Sequence, residues 1–131
     1  MTVFVDTSAW YALLDENDAA ATRARGVFGQ LASSRERLIT HNYVLVETLA
    51  LLQRRLGMDA AERFVTDLLP VAEIEWIQPS LHDVALAGFL ESAGGASFVD
   101  HVSFALMRAR GVSAAFCFDA EFARRGFQPL S

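Results

Sequence analysis

The 131-residue chain is long enough for one compact domain, and at 53% hydrophobic residues it holds enough apolar material for a substantial core. Its formal charge of −5 argues against avid nonspecific binding to nucleic acid, although not against an enzyme that meets phosphates through bound cations and a few arginines. All 11 basic residues are Arg, so any chemistry that needs a lysine is excluded.

No Pro/Gly/Ser-rich linker, low-complexity run or internal repeat divides the sequence, and residues 1–131 are expected to form a single domain. The opening Met1-Thr2-Val3-Phe4-Val5-Asp6 has neither a basic n-region nor a small-residue cleavage site, so no signal peptide is expected. Apolar runs fall well short of the roughly 20 residues a membrane span needs. The lone cysteine, Cys117, sits within Ala114-Ala115-Phe116-Cys117-Phe118 and is expected to be a small buried hydrophobe rather than a reactive thiol. With no internal disulfide available, a reducing cytoplasm is the expected home.

Thr2 to Val5, β-branched and aromatic, predicts a first buried strand. Ser8 is the predicted N-cap of a helix through Leu14, and Asp18 that of a second helix running to about Ala32. Arg37 to Thr40 suits a second strand. An apolar helix from about Asn42 to Leu56 follows, closed by Gly57. Asp59 is placed to cap the next helix, which stops at Pro70, and Glu73 to Ile77 reads as a third strand. Ser80 then caps a helix through Ser92, broken by Gly94-Gly95. A helix from about Val99 to Arg110 ends at Gly111. Ser113 to Phe118 is a fourth strand, Ala120 to Arg125 a short helix, and Phe127 to Leu130 a fifth, edge strand. Short apolar strands alternating with helices predict an α/β domain with a mostly parallel sheet flanked by helices.

Ligands in such sheets bind outside the carboxyl ends of the strands. Asp6 follows Val3-Phe4-Val5, and Asp119 follows Phe116-Cys117-Phe118, both at that kind of position. Taken singly, each is equally well a turn former or a helix cap. Glu47 lies among Val44, Leu45, Val46, Leu49, Ala50, Leu51 and Leu52, with no base three or four residues away. An ionised carboxylate in an apolar helix needs a partner, either a cation or an Arg from another segment. Asp100 falls in the first turn of its helix, where acids are ordinary, with Ser103 on the same face to bond the carboxylate or a nearby water.

Together the four acids would gather only if something cancels their repulsion, and hard divalent cations do so through carboxylate oxygens. Such a site suits in-line phosphoryl displacement. His41, His82 and His101 show no paired metal spacing, and His101 is expected to be structural or at the surface. Asn42 reads as a cap rather than a ligand. Arg124 and Arg125, one turn beyond Asp119, are candidate contacts to substrate phosphates, against a solvated helix end. Trp10 and Tyr11 are expected in the core or a dimer contact rather than stacked on a base.

These fragments carry a resemblance. Val3-Phe4-Val5-Asp6-Thr7-Ser8, Val44-Leu45-Val46-Glu47, Phe98 through Met107, Phe118-Asp119-Ala120-Glu121-Phe122 and the ending Arg125 to Leu130 stand in order across essentially the whole chain. In these the chain resembles PIN-domain ribonucleases, and within them the VapC-like toxins of bacterial and archaeal toxin–antitoxin pairs. The resemblance implies a three-layer PIN-like α/β fold of about five short strands, with Asp6, Glu47, Asp100 and Asp119 as catalytic metal ligands. It implies supporting hydroxyls at Thr7 or Ser8 and at Ser103. It further implies Mg²⁺ or Mn²⁺, one ion or two, cutting RNA to leave a 3′-hydroxyl and a 5′-phosphate. The implied partners are a second copy of the chain and a small antitoxin that covers the acidic groove.

Two other small α/β enzyme classes are set aside. A receiver-type phosphoacceptor needs paired acids after the first strand and a late lysine. A haloacid-dehalogenase-like phosphatase needs a second Asp where Ser8 stands. A non-catalytic RNA- or protein-binding module of the same fold, and a PIN nuclease of RNA processing without an antitoxin, are the alternatives retained.

Overall fold

A computed structural model describes all 131 residues. Its strands are β1 (Thr2–Val5), β2 (Arg37–His41), β3 (Glu73–Glu75), β4 (Ala114–Phe116) and β5 (Gln128–Leu130). They form one sheet in the order β3-β2-β1-β4-β5, and every neighbouring pair is parallel. The helices are α1 (Thr7–Leu14), α2 (Ala21–Ser33), α3 (Asn42–Arg55), α4 (Met58–Arg63), α5 (Pro79–Glu91), α6 (Phe98–Arg110) and α7 (Glu121–Arg124).

Parallel strands joined by right-handed crossovers dictate the layers. The chain steps from β1 through β2 to β3 on one side, which lays α1 to α4 on one face. It then returns past β1 to β4 and β5, which lays α5 to α7 on the other. Accordingly α1 packs on α2 and α3, α3 on α4, and α5 on α6. The result is the expected three-layer α/β fold, with β1 at the centre.

The core follows from that position. Val3, Phe4 and Val5 of β1 are fully buried, as are Ala114, Ala115 and Phe116 of β4 beside them. Trp10 fills the space between the sheet and the α4 region, its ring edge-on to Phe64 with centroids 5.3 Å apart. Across the sheet, Phe104 of α6 meets Phe122 of α7 at 5.0 Å. Cys117 is buried, and burial, followed by the charge of Asp6, pushes its thiol up to about 12, so the expectation of an inert hydrophobe holds.

Several caps differ from expectation, each because a neighbour competes better. Asp6, not Ser8, caps α1: its backbone is extended and its side chain accepts from the Ser8 amide. His41, not Asn42, caps α3 by accepting from the Tyr43 and Val44 amides, while Asn42 Oδ1 takes the Ile77 amide at 2.7 Å. Asp18 closes a turn onto the Ala20 amide at 2.8 Å, three residues ahead of α2. Pro79, with φ preset, opens α5 one residue before Ser80. Pro70 does not stop its helix outright. After α4 the chain loosens into a π turn (Phe64–Leu68) and tightens into a 3₁₀ turn (Leu69–Val71) that holds Pro70. Gly111 ends α6 at φ +66°, where a Cβ would be strained.

Truncating the buried ring that meets Trp10 leaves a cavity the packed layers cannot close. Phe64→Ala is therefore expected to cost about 3–5 kcal/mol, measured as a lower urea midpoint with unchanged m.

Candidate active site

The strand order reverses between β1 and β4, so the connections leaving their carboxyl ends diverge and open a crevice. Asp6 is the first residue beyond β1, and Asp119 lies three beyond Phe116, the last residue of β4. Two bonds knit the lips together. The Asp6 amide donates to the Phe116 carbonyl at 3.1 Å, continuing the ladder. The Ser8 hydroxyl donates to Asp6 Oδ2 at 2.7 Å and accepts from the Phe118 amide at 2.9 Å, linking residues 110 apart in sequence. Ser8 thus orients the Asp6 carboxyl and anchors the β4 loop at once.

The other two acids come from helices. Asp100 is held by a capping box at the start of α6. Its Oδ2 accepts from the Ser97 amide at 3.0 Å, and its own amide donates to Ser97 Oγ at 3.1 Å. Glu47 stands in the second turn of α3. That helix is docked on α1 where the Thr48 hydroxyl donates to Thr7 Oγ1 at 3.3 Å, and on α6 through His41 and Ser103. Asp119 is half-buried, its Oδ1 taking the Glu121 amide at 2.9 Å.

The charges are coupled across these elements. Asp6, only 3% exposed, has its carboxyl pushed up to about 7 by burial, with the Asp100 and Asp119 charges adding to it against the Ser8 hydrogen bond. Asp100 is pushed up to about 6, again by burial first, with Asp119 and Glu47 adding. Each of the four acids therefore figures in the charge environment of Asp6 or Asp100.

None of them has a basic partner. The four salt bridges of the chain join the N-terminus to Glu36, Arg37 to Glu73, Arg110 to Glu75 and Arg124 to Glu121. Moreover, Asp6 Oδ1 is buried with no hydrogen-bond donor at all. An orphaned, desolvated carboxylate oxygen among three further acids fits a hard divalent cation in donor chemistry. The spacing is open: no three His, Cys, Asp or Glu side chains converge tightly enough to ligate one ion together. Unscreened like charges favour such separation.

Some expectations change in this setting. Glu47 is half-buried rather than enclosed, since Val46 beside it is 69% exposed and Ala50 is exposed too. The apolar look of α3 comes from a helix that buries one face and leaves much of the other in solvent. Ser103 is fully buried and points elsewhere. Its hydroxyl donates to the Val99 carbonyl at 3.1 Å and meets His41 Nε2 at 2.8 Å. Because His41 Nδ1 accepts two backbone amides, Nε2 carries the proton and donates to Ser103; burial holds this imidazole neutral, with its pKa down to about 3. Ser103 therefore braces α6 against α3, and the hydroxyl on Asp6 is that of Ser8. His101 is buried, its ring edge-on to Phe104 and Phe89, in keeping with a structural role.

Arg124 is engaged on Glu121, and Arg125 lies over the Phe104 ring at 5.2 Å. Two further basic groups line clefts at this end of the sheet, Arg23 beside Asp119 and both Arg23 and Arg55 beside Ser8. Arg23 sits over Phe118 at 5.4 Å from the ring centroid, and Arg55 over Tyr11 at 5.5 Å. Sequence reasoning missed both. A signal was present for Arg55, which follows Glu47 and Leu51 at successive four-residue steps along α3.

Comparison with known proteins identifies the family and the fold. The sequence pattern of the PIN domain matches residues 3–128. The chain is 37% identical over 127 residues to the 23S rRNA-specific endonuclease VapC20 of Mycobacterium tuberculosis, in strain CDC 1551 / Oshkosh and in strain ATCC 25618 / H37Rv, covering 95% of either chain. Its fold matches the crystal structure of Mycobacterium tuberculosis VapC20, described as a sarcin-ricin loop cleaving toxin, with a TM-score of 0.84, 36% identity and 95% of each chain covered.

The raised Asp6 carboxyl has a definite thermodynamic sign. The folded state binds its proton more tightly than the unfolded state, so the stability it lends is present below the ordinary value of 3.8 and is lost as pH rises through about 7. In metal-free buffer Asp6→Asn is expected to melt several degrees above the parent near pH 8, with the gap narrowing as the pH falls toward 4. A gap independent of pH would show that Asp6 carries no such burden.

Proposed function

This chain belongs to the PIN domain family, and we propose that it is a divalent-cation-dependent endoribonuclease, the toxin of a toxin–antitoxin pair. The observation that carries the reading is the orphaned, buried carboxyl of Asp6 at the strand-order reversal, coupled by charge to Asp100 and Asp119 and matched by no base. A structural role for these acids would call for arginine partners, and none of the chain's salt bridges involves Asp6, Glu47, Asp100 or Asp119. The 37% identity to a 23S rRNA-specific endonuclease over nearly the whole chain favours ribosomal RNA as the substrate class.

In this reading Asp6, Glu47, Asp100 and Asp119 hold Mg²⁺ or Mn²⁺. Such an ion, when bound, offsets charge on the phosphoryl oxygens and activates water for in-line displacement. The chain's own residues prepare the place. Ser8 fixes the Asp6 carboxyl through Oδ2 and leaves Oδ1 free of donors. The capping box likewise occupies Asp100 Oδ2, leaving Oδ1 free of a protein donor. Burial raises the proton affinity of Asp6 and Asp100, so a cation competes with protons there and occupancy strengthens as pH rises through about 6 to 7. Hydrolysis breaks the bond from phosphorus to the 3′ oxygen, yielding a 3′-hydroxyl and a 5′-phosphate.

The proposed partners are a small antitoxin protein and a second copy of the chain. The proposed compartment is the cytoplasm; no helix is long and apolar enough to cross a membrane.

The test is cleavage of purified ribosomal RNA in Mg²⁺, Mn²⁺ or EDTA. Cutting is expected with either metal and not with EDTA, and both Asp6→Asn and Asp100→Asn should lower kcat by roughly a hundredfold or more while remaining folded by circular dichroism. Variants that cut like the parent would refute the site. A parent that binds RNA but cuts none would favour the binding-module alternative.

A further inference from the structure

Two clefts flank the crevice, and one arginine lies between them. The first, about 240 Å³, is lined by Asp119, Cys117, Phe118, Ala123, Pro129 and Arg23. The second, about 420 Å³, is lined by Ser8, Tyr11, Leu51, Arg55, Phe118 and again Arg23. Asp119 opens on one, and Ser8, which holds Asp6, opens on the other. Arg23 and Phe118 are the two residues they share, so the clefts adjoin there, one beside Asp119 and the other beside Ser8.

Both arginines lining these clefts are exposed and neither has a carboxylate partner. Instead each is seated over an aromatic ring, Arg23 over Phe118 and Arg55 over Tyr11. A guanidinium placed on a ring loses part of its rotamer freedom yet keeps its N–H edge for a planar, forked acceptor such as a phosphate. The acids nearest the second cleft are already engaged. Asp15 accepts from the Tyr11 hydroxyl at 2.6 Å and the Asn17 amide at 3.0 Å, and Asp18 accepts from the Ala20 amide. In a chain of net charge −5, two unpaired cations on the rim of an acidic crevice are a local reversal of sign.

We infer that Arg23 and Arg55 are the phosphate-binding residues of the RNA track: they seat backbone phosphates on the Ser8 side of the scissile position, with Arg23 the nearer to the acids. This rests on the ribonuclease reading above and assigns its substrate grip. The contacts are to backbone, so they supply affinity and register and carry no base preference of their own.

The test uses full-length protein carrying Asp6→Asn, so that a fluorescein-labelled single-stranded oligoribonucleotide is bound without being cut. Its affinity is measured across a salt series with and without Arg23→Ala or Arg55→Ala. A third variant, Arg37→Ala, removes the same charge at the opposite end of the sheet, at the start of β2. Each of the first two changes is expected to weaken binding about tenfold at low salt and to flatten the dependence of log K on log salt by about 0.7, the value for one phosphate contact on a single strand. Arg37→Ala should leave the slope unchanged. In the cleavage-competent parent, Arg23→Ala and Arg55→Ala should raise KM for ribosomal RNA about tenfold, with kcat within about twofold.

If the parent cuts RNA while all three arginine variants share its slope and KM, the inference is overturned and the ribonuclease reading stands. Equal losses in all three would also overturn it, by showing a general charge effect. A parent that neither binds nor cuts RNA would sink both.

Discussion

Asp6 places an ionisable group at the end of the central strand, where protein covers it from all sides and two more carboxylates act on it from the neighbouring elements. Desolvation is the largest cost there, and the like charges of Asp100 and Asp119 add to it. The surrounding elements hold that group in place without a basic partner. Ser8 supplies two hydrogen bonds, one from its amide and one from its hydroxyl, both to Oδ2. Nothing supplies any to Oδ1. A stable fold tolerates such an atom at a cost of roughly 1–3 kcal/mol.

The architecture makes the gathering of acids inexpensive in every other respect. A parallel sheet whose order reverses beside its first strand opens a crevice without any special loop. Asp6 and Asp119 reach it from strand ends, while Asp100 and Glu47 reach it from helices that are braced on one another. The brace is a buried polar chain: backbone amides to His41 Nδ1, His41 Nε2 to Ser103, and Ser103 to the Val99 carbonyl. Each member is satisfied, so the link is rigid, and rigidity in α3 and α6 is what keeps Glu47 and Asp100 on their side of the crevice.

Much of this was legible in the chain as written. β1 and β4 announce themselves as short apolar runs, and Asp6 and Asp119 stand out because they end them. Gly111 closes α6 as its position in the pattern requires. The caps were less legible, because Asp6 and Ser8 are near neighbours of similar capping chemistry and His41 caps ahead of Asn42, a stronger capper by type; the choice falls to whichever backbone the preceding strand leaves extended. Ser103 looked like a companion of Asp100 because both lie on one helix. Its hydroxyl goes instead to His41, 62 residues away.

What the sequence determined by itself is therefore everything carried by neighbours along the chain: the alternation of strands and helices, the parallel sheet, and four acids set at element ends or within an apolar helix. What only the tertiary structure decided is everything carried by contacts across it. The desolvated Asp6 carboxyl, the half-buried setting of Glu47, the turn of Ser103 toward α3, and the seating of Arg23 and Arg55 over aromatic rings all belong there. The physical reason is one of range. Strand and helix signals arise from steric and hydrophobic preferences within a few residues. Burial, charge coupling and cation–aromatic stacking depend instead on side chains brought together by folding, as when the Phe118 amide meets Ser8 across 110 residues.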